Sequence, residues 1–229
     1  KLSGRGHSKA DTVNASIKIK EYGFTLGHQI MLGLPGDSFQ SDIETCYESL
    51  KLKPDICRIY PALVLRNTPM EIMYERGEYR PYSLQEAIEI GKTIYSIYSF
   101  HNVKIIRVGL QATDNIAEGR DIIDGPYHPA FRELVEGSLL CDMIKEQIAG
   151  LKGEATLYIN HKYISKLYTN KKQFFNDMKR YIVTDNLFVL LDNTLEIGEI
   201  RFEYMDECWK MSIKEFISNK VKEGKMYIL

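Results

Sequence analysis

At 229 residues, with 44% hydrophobic and 27% charged side chains, the chain is long enough to bury a substantial core and has the balance of an ordinary globular protein. A formal net charge of -1 excludes nucleic-acid binding driven by bulk charge, although a local basic patch remains open. No run approaches the roughly 20 apolar residues of a membrane-spanning helix, and residues 1–10 lack the apolar core of a secretory signal, so the expected compartment is the cytosol, with no membrane partner.

The opening KLSGRGHSKADT has loop-like Gly and Ser and no initiator Met, and it reads as part of something longer. Ser8 then caps a helix to about Tyr22 with Ala10, Val13 and Ile17 on its apolar face, and Gly23 ends it. Phe24 to Leu32 follows as a strand. The stretch from Gly27 to Ser38, GHQIMLGLPGDS, organises the rest: an apolar strand end runs into a Gly/Pro turn, and Asp37 or Ser38 offers a helix N-cap. In open α/β sheets and α/β barrels, ligands collect where strands end and the next loops begin, because glycine permits close backbone approach. Phe39, Ile43, Cys46, Tyr47 and Leu50 mark an amphipathic helix closed by Lys53-Pro54, and Ile56 to Tyr60 is a second strand. Two strand-helix units in tandem imply parallel strands with helices packed outside.

PALVLRNTP, Pro61 to Pro69, is too apolar for a surface loop, and two readings stand side by side: a segment folded over a ligand, or a loop packed under the next helix. Met70 to Arg76 is a short helix. Ser83 with Glu86 forms a capping box for the helix carrying Leu84, Ala87, Ile88, Gly91, Ile94, Tyr95 and Tyr98 on its buried face. Val103 to Leu110 is a further strand, 111–128 is loop-like, and Pro129 opens a helix through about Gln147.

Gly150 and Gly153 mark the clearest expected boundary, dividing the chain into 1–150 and 151–229. The second part reads as a small α+β module: a strand (Thr156 to Ile159), a helix (Lys171 to Tyr181), two paired strands (Leu187 to Leu191 and Leu195 to Tyr204) and a last helix. Between His161 and Arg180 lie Lys162, Lys166, Lys171, Lys172, Lys179 and Arg180, with Tyr163, Tyr168, Phe174 and Phe175 interleaved. Such mixing can bind RNA through phosphates and base stacking, or can simply be a solvated face over a small core. Cys46, Cys57, Cys141 and Cys208 have no metal-ligand spacing and read as reduced, mostly buried thiols. His28 reads as a satisfied structural residue. His7 and His128 fall in loops and receive no proton-transfer role.

Gly4-Arg5-Gly6-His7, QIMLGLPGD (Gln29 to Asp37), RIYPALVLRNTPM (Arg58 to Met70), GEYRPY (Gly77 to Tyr82), RVGLQ (Arg107 to Gln111) and GPYHPAFRELV (Gly125 to Val135), in that order, resemble the radical S-adenosylmethionine enzymes. Within them the likeness is to the bacterial relatives of the catalytic subunit of Elongator. It covers most of the chain to about residue 150 and, more weakly, the C-terminal module. The resemblance implies an α/β fold: the C-terminal part of a partial (β/α)6 barrel followed by the small α+β module.

On that resemblance Arg5 pairs with the methionine carboxylate of S-adenosylmethionine, and Gln29 meets the ribose hydroxyls. Met31 packs on the adenosine beside the turn at Gly33, and Leu63, Val64 and Leu65 flank the adenine. The family's cofactors are S-adenosylmethionine and a 4Fe-4S cluster, whose CxxxCxxC motif has no counterpart here. The sequence as it stands is therefore expected to hold no cluster and to be inactive without an N-terminal half-barrel. The implied substrate is tRNA, yet no Gly-rich pyrophosphate loop for acetyl-coenzyme A follows Gly150, so these residues are expected to lack the family's acetyltransferase half. Two alternatives are a non-catalytic RNA-binding scaffold using Lys162, Lys166, Lys171 and Lys172, and a porphyrinogen-oxidase-like radical enzyme. The latter shares the GLP turn but fits the YRPY and YHPAF segments less well.

Overall fold

A computed structural model describes residues 6–110, 121–181 and 184–224. Arg5 and residues 111–120, including Gln111, lie outside the described residues. The chain separates into two compact units, Lys1–Arg132 and Glu133–Ile228, so the division runs through a helix.

In the first unit, α1 (Lys9–Glu21) starts at a capping box in which the Ser8 and Asp11 side chains each satisfy the other's backbone N–H. Its inward face is not the expected Ala10, Val13, Ile17 stripe: Ile17 is exposed and Ser16 is the buried residue. Strand β1 (Gly27–Leu32) begins three residues later than expected, with Phe24 left exposed. α2 (Phe39–Lys51) is capped by Ser38, which trades hydrogen bonds with Ser41. β2 (Ile56–Pro61) follows, and the apolar PALVLRNTP segment contains a short strand, β3 (Val64–Leu65). α3 (Pro69–Glu75) and α4 (Leu84–Phe100) come next, and the Ser83–Glu86 capping box is present, with Arg80 clamping the Glu86 carboxylate through two hydrogen bonds. β4 (Lys104–Val108), β5 (Ile122–Asp124) and the start of α5 (Phe131–Gln147) complete the unit.

β1, β2 and β4 form a parallel sheet in that order. Ile30, Leu32, Cys57, Ile59 and Val108 are buried on one face of it, and α4, which packs on all three strands, has Ile88, Ile90, Ile94 and Ile97 buried as well. Because side chains alternate along a strand, Gln29, Met31, Arg58 and Tyr60 project from the opposite face. β3 and β5 pair antiparallel as a separate ribbon, so within PALVLRNTP Val64 and Leu65 are strand residues.

His28 settles why α1 turns a serine inward. Its Nδ1 lies 2.7 Å from Ser49 Oγ on α2 and its Nε2 lies 3.0 Å from Ser16 Oγ on α1. Tyr98 Oη of α4 donates to Ser49 Oγ, and Ser16 Oγ donates to the Thr12 carbonyl. With each hydroxyl holding one proton, that order assigns the imidazole proton to Nε2 and leaves Nδ1 to accept from Ser49. The histidine is a neutral rivet joining β1 to three helices. Burial, with Lys20 adding to it, holds its pKa below the ordinary histidine value. The folded state therefore disfavours the proton, and the rivet's contribution is complete above the ordinary value of about 6.5 and fades as pH falls through it. His28→Leu is expected to cost about 2–3 kcal/mol by stranding hydroxyls, and to flatten the decline of melting temperature between pH 7 and pH 5.5. An unchanged slope in that variant would assign the pH dependence elsewhere.

In the second unit, the rest of α5 is followed by β6 (Gly153–Ile159), α6 (Ile164–Leu167), a short 3-10 turn at Asn170–Lys172, α7 (Gln173–Tyr181), β7 (Thr184–Leu191), β8 (Glu199–Tyr204), β9 (Glu207–Ser212) and α8 (Ile213–Lys222). The sheet order is β7-β6-β8-β9. The two strands expected to pair do not: β7 lies parallel to β6, β8 lies antiparallel to β6 on its other side, and β6 separates them. β8 instead forms a hairpin with β9. β6 is the central strand of this unit. Ala155, Leu157 and Ile159 are buried, and both backbone edges of the strand are occupied.

Candidate functional site

The GLPG turn sits at the C-terminal end of β1, where a parallel sheet offers its strand ends to ligands. Gly33 and Gly36 have φ of +72° and +86°, conformations that favour glycine. The turn closes on itself: the Asp37 carboxylate accepts from Leu34 N–H at 3.0 Å, and Asp37 N–H donates to the Leu34 carbonyl at 2.8 Å. Asp37 thus belongs to the turn and Ser38 to the helix cap.

Gly33 itself is gripped from three sides. Tyr79 Oη donates to its carbonyl at 2.6 Å, its N–H donates to the Asp42 carboxylate at 3.2 Å, and the Tyr82 ring lies against its Cα. Tyr82 Oη in turn donates to Asp42 at 3.0 Å, and its ring meets Phe39 edge-on, with centroids 5.1 Å apart. The GEYRPY segment, one of the motifs that carry the resemblance, is the part that fixes the turn.

Asp42 carries no sign of its role in the sequence, because the apolar stripe of α2 is phased on Ile43, one residue along. It is 1% exposed. Burial pushes its pKa up to about 7, Tyr82 and the Gly33 N–H pull it back, and Asp37 pushes it further up. A carboxyl that holds its proton more tightly when folded contributes stability at low pH, lost as pH rises from the ordinary carboxylate range through about 7. This slope opposes that of His28. Asp42→Asn, which keeps an acceptor for Gly33, is expected to raise the melting temperature at pH 8 while leaving it nearly unchanged at pH 5. Equal shifts at both values would show that Asp42 does not titrate in this range.

Of the residues expected to meet S-adenosylmethionine, Gln29 and Met31 share the open face of β1, Gln29 exposed and Met31 half-buried, immediately before the gripped Gly33. Leu63 lines a shallow apolar crevice with Pro61, Gly109, Tyr127 and His128 at the ends of β2 and β4. Val64 is fully buried, and it registers with Asp124 of β5 as Leu65 does with Ile122, so one backbone edge of this pair is used by the ribbon. Arg5 lies outside the described residues.

The lysines are also dispersed. Lys162, Lys171 and Lys172 are exposed, whereas Lys166 is mostly buried and forms ion pairs with Glu133 and Glu136. Lys172 stands over the Tyr168 ring, 4.7 Å from its centroid. Asn170, Lys171 and Lys172 have φ between +51° and +67°, an unusual run for residues other than glycine.

The cysteines do not suit an iron-sulfur cluster. Cys46, Cys57 and Cys141 are buried and Cys208 is exposed, and burial pushes the thiols of Cys46 and Cys57 up to about 12, whereas cluster ligands are thiolates. Among the described residues, no three His, Cys, Asp or Glu side chains gather into a metal-binding group, and no helix is long and apolar enough to cross a membrane.

Residues 54–140 match the Radical_SAM C-terminal domain. Over 89 residues, or 38% of this chain, the sequence is 39% identical to the tRNA uridine(34) acetyltransferase of Methanocaldococcus jannaschii, covering 16% of that protein. Over 98 residues, or 42% of this chain, it is 30% identical to Elongator complex protein 3 of Mus musculus, covering 18% of it. The solved structure of the archaeal Methanocaldococcus infernus Elp3 with an N-terminal deletion is 32% identical and superposes with a TM-score of 0.50, over 58% of this chain and 31% of that one. The matches thus span less than a fifth of the curated relatives and about a third of the solved chain. The α/β architecture, a parallel sheet with helices followed by a small α+β module, agrees with that structure. These matches support a likeness to the Elongator-like branch of the radical S-adenosylmethionine enzymes.

Proposed function

We propose that the first unit supplies one wall of an S-adenosylmethionine site in an enzyme that modifies a tRNA uridine. The observation that carries this reading is the clamp on Gly33: Asp42, Tyr79 and Tyr82 hold one strand-end turn rigid directly beside the outward Gln29 and Met31. Pre-set strand-end turns favour ligand binding because little further ordering is needed when the ligand arrives. Gln29 would hydrogen-bond the ribose hydroxyls, Met31 would cover the adenosine, Leu63 would border the adenine, and Arg5 would pair with the methionine carboxylate. In the complete family, S-adenosylmethionine with a 4Fe-4S cluster supplies a 5'-deoxyadenosyl radical that removes a hydrogen atom from substrate. The residues here orient the nucleoside end and keep water from it.

The cluster ligands, on this reading, belong to another half-barrel of the complete protein, and these residues alone are inactive. The division of labour at about residue 150, with 151–229 as a separate module, is part of the same proposal. Its tRNA contact would be the exposed Lys162, Lys171 and Lys172 beside Tyr168, with Lys166 spent on its two glutamates. The cellular compartment proposed is the cytoplasm.

Saturation-transfer NMR with S-adenosylmethionine tests the wall. Transfer to the adenosine protons is expected for the unaltered chain and should be lost in Met31→Asp but not in Lys162→Glu. Absence of transfer, or its survival in Met31→Asp, overturns the reading. Anaerobic reconstitution with iron and sulfide is expected to leave no absorbance near ~400 nm, the region of thiolate-ligated clusters. A tRNA gel shift unaffected by Lys171→Glu with Lys172→Glu would remove the RNA role from the second unit.

A further inference from the structure

Across the open face of the parallel sheet, Arg58 of β2 and Arg107 of β4 are Cα partners, and Gln29 of β1 is the partner of Arg58 on its other side. Neighbouring strands lie about 4.8 Å apart, so two guanidinium-bearing side chains leave the sheet side by side. Both are exposed, and among the described residues neither has an ion-pair partner. No residue of that face in the three strands is acidic, and Lys104, partner of Ile56, adds a further cation toward the start of β4. Like charges at directly neighbouring strand positions repel and destabilise a sheet.

A register irregularity brings the pair together. Cys57 pairs with Ile105, but Arg58 pairs with Arg107, so Ile106 is the extra residue of a bulge. In unbroken register Arg58 would face Ile106, and Arg107 would fall opposite Ile59 on the helix-covered side. The bulge leaves Ile106 37% exposed, and its consequence is two adjacent arginines on the ligand-facing side of the sheet. Bulges concentrate where a strand must re-aim a side chain beside a functional site.

We infer that Arg58 and Arg107 form a receptor for the terminal phosphate or diphosphate of a small-molecule ligand bound next to Gln29. One carboxylate saturates a single arginine fork, whereas a tetrahedral dianion has oxygens enough for two forks and a charge that offsets both. S-adenosylmethionine carries no phosphate, so this receptor lies beyond the site proposed above, and its failure would leave that reading untouched.

Inorganic pyrophosphate is the probe, titrated calorimetrically into the chain at low ionic strength without competing anions. Saturable binding is expected, weakened at least tenfold by either Arg58→Gln or Arg107→Gln and abolished by both, while Lys162→Gln has no effect. Arg58→Lys should recover only part of the affinity, because an ammonium lacks the fork. On the unaltered chain, pyrophosphate should protect the peptides carrying Arg58 and Arg107 from phenylglyoxal, which keeps the test independent of how the variants fold. The proposal is overturned by absence of saturable binding, by binding that survives in the double variant, or by unprotected arginines. It is equally overturned if acetate, or an RNA oligonucleotide without terminal phosphates, binds as tightly as pyrophosphate.

Discussion

Gly33→Ala is expected to lower the stability of the first unit by about 2–4 kcal/mol, from two separate sources. The backbone there sits at φ +72°, where a side chain is strained, and a Cβ would stand 2.6 Å and 2.7 Å from the Cδ2 and Cε2 atoms of Tyr82. The ring cannot move aside cheaply, because Tyr82 Oη is bonded to Asp42 and the ring edge is packed on Phe39. A double variant with Tyr82→Ala separates the sources, since removing the ring relieves the contact and leaves the strained φ. The measured coupling between the two substitutions should therefore be favourable. Urea unfolding followed at the first unit checks this, and a midpoint for Gly33→Ala equal to that of the unaltered chain would show that the grip on the turn is loose. The same variant should lose nucleoside contact in the NMR experiment, because the strand end carrying Gln29 and Met31 would no longer be held.

Gly137→Ala should be at least as damaging, with a sign opposite to the usual one. Alanine inside a helix ordinarily stabilises by about 1 kcal/mol over glycine. Gly137 lies within α5, but a Cβ there would run into Thr169 Oγ1 and come within 2.6 Å of the Lys166 carbonyl oxygen. That segment cannot retreat freely, because the Lys166 ammonium is tied to Glu133 and Glu136 on the same helix. The expected loss is about 3 kcal/mol or more, enough to unfold a marginal unit at physiological temperature. Trp209 provides the readout: it is the chain's single tryptophan, stacks on Phe202 with centroids 5.4 Å apart, and donates to Gln147. An unfolding midpoint by its fluorescence that stays level or rises would mean that the helix and the 166–169 turn are not in fixed contact.

These two glycines illustrate how differently sequence and structure speak. Gly33 announced itself, because a glycine at the end of an apolar run followed by Pro35-Gly36 is a turn by local chemistry. Gly137 gave no such sign, because its requirement comes from a segment about thirty residues away in sequence. The same contrast runs through the site. Gln29 and Met31 could be placed on one face from alternation alone, and the capping boxes at Ser8 and Ser83 follow from residues three apart. Asp42 could not be found that way. Read at helical period it is a polar position at the edge of an apolar stripe, and only the return of Tyr82 and Gly33 to the same spot makes it a buried acceptor.

What the amino-acid order determined by itself was the local part: the helix caps, the strand-turn-helix corner, parallel strand-helix units in the first unit, and a set of motifs whose order carries the resemblance to the radical S-adenosylmethionine enzymes. Backbone conformation and side-chain periodicity act over a few residues, so those features are written where they occur. Tertiary structure alone decided which strands neighbour which, as with β6 lying between β7 and β8, and which polar groups are buried together, as with Ser16, His28, Ser49 and Tyr98. It also decided that Ile106 bulges and so sets Arg107 beside Arg58. Each of these depends on hydrogen-bond partners and packing surfaces contributed by segments far apart in the chain, and no short-range pattern encodes a partner that arrives only when the chain folds.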